Sequence, residues 1–250
     1  MDSAGGGGSA SWLMAAGIGL LGCLLSPMAE ILIARLLPRL GGLPALSVRI
    51  TTAAVTGAAC VAFALRFGNI AGLPALILLA VLGVQLARVD IASHLLPNQL
   101  VLILLIFGTF LLAAPLIFGQ QADGFVRALV GAVILFAVYL ILALISPGGI
   151  GMGDVKLAAP VGLYLGYLGW SQLLYGGLLG FIVNGLTTAV LLSGKRRNRA
   201  REVAHGPAML GALALTAPPF RITGFRSGRR PVPATRRIHP SSQENTRVVP

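Results

Sequence analysis

Seven long runs of apolar residues make up most of this chain, and they limit what it can fold into. A helix needs about 20 apolar residues to cross the hydrocarbon layer of a membrane. The runs cover 11–37, 51–68, 70–89, 99–119, 125–146, 155–170 and 171–193. A weaker run near 206–219 is too short to span comfortably. The sequence therefore predicts an all-α, polytopic transmembrane helical bundle with about seven to eight membrane helices.

Composition and the two ends of the chain agree with this interpretation. The chain is 56% hydrophobic and only 10% charged, more apolar than a soluble domain of 250 residues can bury. The first run follows a flexible, glycine-rich stretch, 1–10, that has no Lys or Arg, so we interpret it as a retained helix rather than a signal peptide. We expect a membrane domain over 11–217. The tail 218–250 is rich in Pro, Gly and Arg and is expected to be disordered.

The distribution of Lys and Arg predicts an orientation. With the N-terminus outside, most basic connections fall on one side, which the positive-inside rule assigns to the cytoplasm. Only Arg66 and Arg127 fall on the other. The formal net charge of +12 then reflects topology and the basic tail. It does not indicate a nucleic-acid partner, because no basic stripe lies on a soluble face.

Few acidic residues lie in or beside the apolar runs. Asp90 ends the third run, and Asp154 opens the sixth behind "GGIGMG". Two spanning runs separate them, so the topology returns both carboxyl groups to the same membrane face. Asp123 lies in a turn-like connection, where a solvated acid is the ordinary explanation.

A pair of carboxyl groups at the edge of a medium of low dielectric constant shares one proton. One acid then acts as a base towards water and the other as an acid towards a peptide carbonyl, as in aspartic proteases. Gly151 and Gly153 allow a substrate strand to approach Asp154 closely. A simpler explanation is also open: Asp154 caps a helix and Asp90 pairs with Arg88 or water.

Two motifs carry a resemblance to a known family. "DIASHLLPN", Asp90 to Asn98, and "GIGMGDVKL", Gly149 to Leu157, resemble the two signatures of the type IV prepilin peptidases, which are intramembrane aspartyl proteases of the Gly-x-Gly-Asp type. The order of the motifs and the two intervening helices match as well. The resemblance implies that Asp90 and Asp154 are the catalytic pair.

The same resemblance implies the activity, the partners and the location. It implies a multi-pass aspartic endopeptidase of the cytoplasmic membrane, without a cofactor, that cleaves the basic leader of prepilins or pseudopilins among membrane lipids. Larger members carry two Cys-x-x-Cys pairs in a cytoplasmic loop and methylate the new amino terminus. Here the corresponding stretch, "PRLGGLPALSVRI", is short and free of cysteine, so neither a zinc site nor methyltransferase activity is supported.

Five further residues have possible roles at or near this site. Pro97 and Asn98 are expected to start a helix and position the loop. Lys156 lowers the pKa of Asp154, holds a lipid phosphate, or is simply solvated. His94 tunes the acid pair or bonds to water and lipid headgroups. Glu30 contacts substrate or pairs with Arg35 or another polar group at a helix end.

Two other functional classes remain open from the sequence. A proton-coupled carrier could use the same acids as a relay, although the chain shows no obvious internal repeat. A catalytically inactive partner in pilus assembly or secretion is also compatible with the irregular C-terminus. Cleavage of a substrate and proton flux in vesicles separate the three. The sequence does not indicate an oligomeric state.

Overall fold

The computed structural model describes residues 6–36, 38, 42–67, 70–93, 96–119, 122–145 and 151–193. The predicted eighth run, the predicted disordered tail, His94 and the glycine pair at 148–149 all lie outside the described residues. The domain boundaries proposed for the two ends of the chain therefore stay predictions.

Seven helices and no strand make up the described part of the chain, which confirms the predicted all-α class. They are α1 Gly6–Leu36, α2 Leu46–Phe67, α3 Leu73–Ser93, α4 Asn98–Ile117, α5 Asp123–Ile145, α6 Met152–Leu168 and α7 Trp170–Ser193. The first five are long and apolar enough to cross a membrane. Each predicted run corresponds to one helix, because connections rich in Gly, Pro or charged residues interrupt the apolar sequence at each boundary.

Small residues allow α1 and α2 to pack closely. Gly22 lies against the Cys60 side chain, and Gly57 lies against the Cys23 sulfur. The Cys23 thiol also donates a hydrogen bond to the Ala53 carbonyl, 3.4 Å away. Small residues at such crossings allow the van der Waals contact that drives helix association in membranes. Both cysteines are free thiols, and they serve as small packing residues at this crossing.

Glycines on both helices bring α5 and α6 into backbone contact. A methyl group at Gly166 would lie only 2.6 Å from the Arg127 carbonyl oxygen and 3.1 Å from the Ala128 Cα atom. One turn earlier on α6, Gly162 meets the backbone of Gly131. These contacts leave no room for a side chain, so they fix the depth and the register of this helix pair.

Arg127 and Gly169 determine where α6 ends. The Arg127 guanidinium donates hydrogen bonds to the carbonyl oxygens of Gly166 and Tyr167, at 2.7 and 2.9 Å. These carbonyl groups belong to the last turn of α6, where carbonyl oxygens have no hydrogen-bond donors within the helix. Gly169 then adopts a φ of 152°, which favours glycine, and α7 begins at the next residue. The sequence placed Arg127 on the outer side only as an exception to the charge rule, and its bonding to α6 is a structural finding.

Candidate active site

Asp90 lies in the last two turns of α3 and is buried, with 3% of its surface exposed. Helical spacing places it on the same face as Leu86 and Leu79, which lie four and eleven positions earlier. Both leucines belong to the hydrophobic core. The third predicted run therefore ends with a carboxyl group that continues the core-facing side of its helix.

Asp154 lies in the first turn of α6 and is also buried, with 6% exposed. The N-cap position is held by Gly151, whose carbonyl oxygen accepts the amide hydrogens of Asp154 and Val155 at 3.0 and 3.3 Å. A methyl group at Gly151 would lie 3.2 Å from an Asp154 carboxylate oxygen. The glycine thus keeps the backbone next to this carboxyl group free of a side chain. Asp154 is not itself the N-cap residue that the simpler explanation of the sequence assumed.

The connection between α3 and α4 lies against the first turn of α6. A methyl group at Gly153 would lie 3.2 Å from the Leu96 Cβ atom. In addition, the Lys156 ammonium group donates a hydrogen bond to the Asn98 Oδ1 atom, 3.0 Å away. The two sequence motifs are 58 residues apart at this bond and are nevertheless neighbours in the fold. The connection that follows the helix of Asp90 therefore contacts the helix start that carries Asp154.

Pro97 and Asn98 form the start of α4. Pro97 has extended backbone angles and occupies the N-cap position, and its carbonyl oxygen accepts the amide hydrogens of Leu100 and Val101. No side chain caps this helix. The Asn98 amide oxygen instead accepts the bond from exposed Lys156, which joins α4 to α6. Neither the bond nor this role for Lys156 was predicted, because a contact between residues so distant in sequence leaves no local pattern.

Glu30 is the third buried acid and has a different environment. It lies in α1 with 1% of its surface exposed. One carboxylate oxygen accepts a hydrogen bond from the Arg49 guanidinium at 3.1 Å, and the other accepts one from the Thr52 hydroxyl at 2.6 Å. The expected pairing with a polar group at a helix end is confirmed, and the partner is Arg49 of α2 rather than Arg35. Arg35 lies five positions further along the same helix, which turns it about 140° away from Glu30.

A buried glutamine extends this group of polar side chains to α3. The Gln85 amide donates to the Ser26 hydroxyl at 3.1 Å, and its oxygen accepts a bond from the Arg88 guanidinium at 3.0 Å. Glu30 also acts electrostatically on Arg88. We call these residues the α1–α3 polar cluster: Ser26, Glu30, Arg49, Thr52, Gln85 and Arg88. From the sequence, we expected only that Glu30 would have a polar partner. The other hydrogen bonds of the cluster were not predicted, because the sequence does not show which neighbouring helix a polar residue in an apolar run faces.

The arrangement separates two kinds of acid. Glu30 has a guanidinium and a hydroxyl as direct partners, one for each carboxylate oxygen, so its buried polar atoms are satisfied within the fold. Asp90 and Asp154 lie near the ends of their helices, Asp154 beside Gly151 and both close in sequence to a glycine-containing or proline-containing connection. In the part of the chain described, no three His, Cys, Asp or Glu side chains lie together as a metal site would require.

Comparison with known proteins relates the segment that contains this site to a protein family. Residues 76–192 match the model of the type IV leader peptidase family. This segment of the chain belongs to that family. It contains both aspartates and the connection between α3 and α4, and the resemblance seen in the two motifs is thereby confirmed.

Curated relatives extend the similarity. The chain is 37% identical over 113 residues to a prepilin leader peptidase/N-methyltransferase of Bacillus subtilis (strain 168), covering 45% of this chain and 43% of the relative. It is 32% identical over 171 residues to the protein of that name from Aeromonas hydrophila, covering 67% and 56%. The chain thus spans about half the length of the curated relatives it matches. No solved structure gives a significant match.

Proposed function

We propose that the protein is a membrane-embedded aspartic endopeptidase that cleaves the basic leader of type IV prepilin-like or pseudopilin precursors. One observation supports this most strongly. Asp90 and Asp154 are both buried, and the start of α6 that carries Asp154 contacts the connection following α3, inside a segment of the type IV leader peptidase family. The relatives bear the name of the same activity.

The chemistry follows from burial of the pair. Two nearby carboxyl groups shielded from water do not both ionise, so one proton is shared between them. The ionised acid removes a proton from water while the water oxygen forms a bond to the peptide carbon. The protonated acid gives its proton to the carbonyl oxygen. Collapse of the tetrahedral intermediate then breaks the C–N bond, and the departing amine takes up a proton from the pair.

The substrate is an apolar helix preceded by a short basic leader. We propose that the helix lies among membrane lipids beside the enzyme and that the leader unwinds near Gly151 and Gly153. A cleavable segment must be extended, because a helical peptide bond is hydrogen-bonded and sterically shielded. The missing Cβ atom of Gly151 gives the extended segment access to Asp154, while Gly153 lets Leu96 pack closely. The methyltransferase activity in the relatives' names is not part of this proposal.

Cleavage by the purified full chain tests the proposal. We expect a precursor with a basic leader to be cut in detergent at one site, identified by mass spectrometry. Asp90→Asn and Asp154→Asn should each lower the rate about 10³-fold or more, since neither the base nor the acid can be replaced by an amide. Asp123→Asn is the matched control, because Asp123 is exposed in the first turn of α5. Its rate should stay within about twofold.

Three outcomes separate the functional classes. Cleavage that survives both Asp90→Asn and Asp154→Asn contradicts the mechanism. A wild-type chain that cleaves nothing but conducts protons in vesicles, with loss of flux in the same variants, indicates a carrier. A chain that does neither, although it is folded, indicates an inactive assembly partner.

We further propose that the site faces the cytoplasm. Cys23 and Cys60 are the chain's two cysteines, so replacing both by alanine gives a background for single labels. Met152, exposed beside Asp154, and Ile117, exposed at the far end of α4, are suitable label positions. In inverted membrane vesicles, a membrane-impermeant maleimide should label Met152→Cys and not Ile117→Cys. The reverse pattern would place the site on the outer face.

A further inference from the structure

One polar residue ends the row of side chains through which α5 faces α6. The buried residues of α5 are spaced three or four positions apart, as expected for a single helical face: Ala128, Gly131, Leu135 and Tyr139. The first three are small or aliphatic. Tyr139 is buried to the same degree, with 2% of its surface exposed, yet it carries a hydroxyl.

The register of the two helices places Tyr139 near Asp154. Ala128 lies beside Gly166, and Leu135 lies beside Gly162, so the helices run antiparallel. One further turn along α5 sets Tyr139 opposite position 158, and Asp154 is the next turn of α6 from there. Asp154 lies close enough to act electrostatically on the Tyr139 hydroxyl, in agreement with this register.

The Tyr139 hydroxyl has no hydrogen-bond partner among the residues the structure describes. A buried polar group without a partner loses its hydrogen bonds to water without replacement, whereas phenylalanine fills the same space without that cost. A group from outside the chain, placed between this hydroxyl and Asp154, would satisfy it. In the reaction proposed above, that group is the attacking water.

We propose that Tyr139 is a third catalytic residue, whose phenol donates a hydrogen bond to the water that Asp154 activates. This inference rests on the proposed function. The water donates one hydrogen to the Asp154 carboxylate and accepts the phenol bond on one lone pair. Its second lone pair is then directed at the peptide carbon.

The phenol proton is not consumed in this step. The water oxygen forms the bond to carbon, the water proton passes to Asp154, and Asp90 supplies the proton that the carbonyl oxygen takes up. Tyr139 keeps its proton and contributes only orientation. The proposal thereby assigns different parts to the two acids: Asp154, which faces the phenol, is the base, and Asp90 carries the shared proton.

Removal of the hydroxyl alone tests the role. Tyr139→Phe should lower kcat about 10- to 100-fold and leave KM within about twofold, because the bond is made to water and not to the substrate. Tyr164→Phe is the matched control. Tyr164 is buried in α6 and its hydroxyl also lacks a partner among the described residues, but it lies ten positions beyond Asp154, against Gly108. Its kcat should change less than twofold.

A second measurement needs no substrate. The chain has four tyrosines, so infrared spectra of protein with isotope-labelled tyrosine rings are simple to assign. The C–O band that disappears in Tyr139→Phe should shift in Asp154→Asn, whereas the band lost in Tyr164→Phe should not.

The possible results differ in what they overturn. Suppose that Tyr139→Phe and Tyr164→Phe have the same kcat and that Asp154→Asn does not shift the Tyr139 C–O band. The proposed role of Tyr139 is then contradicted, while the aspartate mechanism stands. If the wild-type chain cleaves no precursor, the proposed function fails, and Tyr139 is not a catalytic residue. A band shift would then show only that Tyr139 and Asp154 are coupled.

Discussion

The amino-terminal and carboxyl-terminal halves of the bundle hold their helices together by different means. Between α1, α2 and α3, buried polar side chains bond to one another, with the Glu30–Arg49 ion pair at the centre. Between α5 and α6, glycines bring the two backbones into contact. Lipid tails are as apolar as the helices, so burial of apolar surface does not drive helices together in a membrane. Hydrogen bonds between buried polar side chains and close backbone contacts at glycines each supply a force that does.

The difference shows what makes a buried acid structural or chemical. In the first half, Glu30 is bonded directly to a guanidinium and a hydroxyl, which fix the position of its carboxylate. In the second half, glycine contacts with α5 position α6, and the Lys156–Asn98 bond joins its first turn to α4. The position of Asp154 thus depends on how α6 packs, and the role proposed for its carboxyl group is chemical.

The largest expected effect comes from separating α5 from α6. Gly162→Leu places a side chain where the Gly131 backbone and the Leu135 side chain lie. We expect a loss of at least about 3 kcal/mol in the free energy of unfolding, together with loss of cleavage, because over-packing moves α6 and with it Asp154. Thermal unfolding in detergent and the precursor assay measure both.

Gly17→Leu is the control for this change. No atom lies within 4 Å of a methyl group at Gly17, which is exposed on α1. Gly17→Leu thus makes the same replacement as Gly162→Leu in an apolar helix, but at a position where the new side chain meets no neighbouring atom. Equal stability of the two variants would contradict the idea that backbone contact holds the second half together.

An intermediate effect is expected for Glu30→Gln. The change leaves Arg49, which is 29% exposed, without its carboxylate, and we expect a loss of about 2–3 kcal/mol in the free energy of unfolding. Cleavage per folded molecule should be retained, unlike in Asp154→Asn. Urea unfolding in mixed micelles and kcat of the folded fraction measure the two quantities.

The double replacement sharpens this test. Glu30→Leu combined with Arg49→Leu should be more stable than Glu30→Gln, because an apolar pair replaces the ion pair without leaving an isolated charge. If Glu30→Gln instead abolishes cleavage at unchanged stability, the distinction between a structural and a chemical acid is wrong.

The smallest effect is expected at the bond between α4 and α6. Lys156→Met removes the hydrogen bond to Asn98 from an exposed position, which should cost less than about 1 kcal/mol in stability. Cleavage should fall about two- to fivefold, because the bond only steadies the connection beside Asp154. In a double-mutant cycle with Asn98→Ala, the two effects should not add. Additive effects would show that the bond does not act as a unit.

Local patterns in the sequence predicted a large part of the fold. Continuous apolar runs and the breaks between them indicated seven helices, and the break at Pro97 predicted where α4 starts. Two motifs and an even number of crossings predicted that Asp90 and Asp154 form a pair at one membrane face, which stays a prediction. Each of these inferences depends on residues close together in the chain or on counting the crossings between them.

The contacts between helices were decided only by the tertiary structure. Apolar runs in a membrane protein are hydrophobic on all sides, so their periodicity does not reveal which face meets a neighbour. The pairing of Glu30 with Arg49, the bonding of Gln85 to Ser26 and the position of Tyr139 beside Asp154 all depend on helix rotation and depth. Those are set by glycine contacts between distant segments, which the order of residues along the chain does not display.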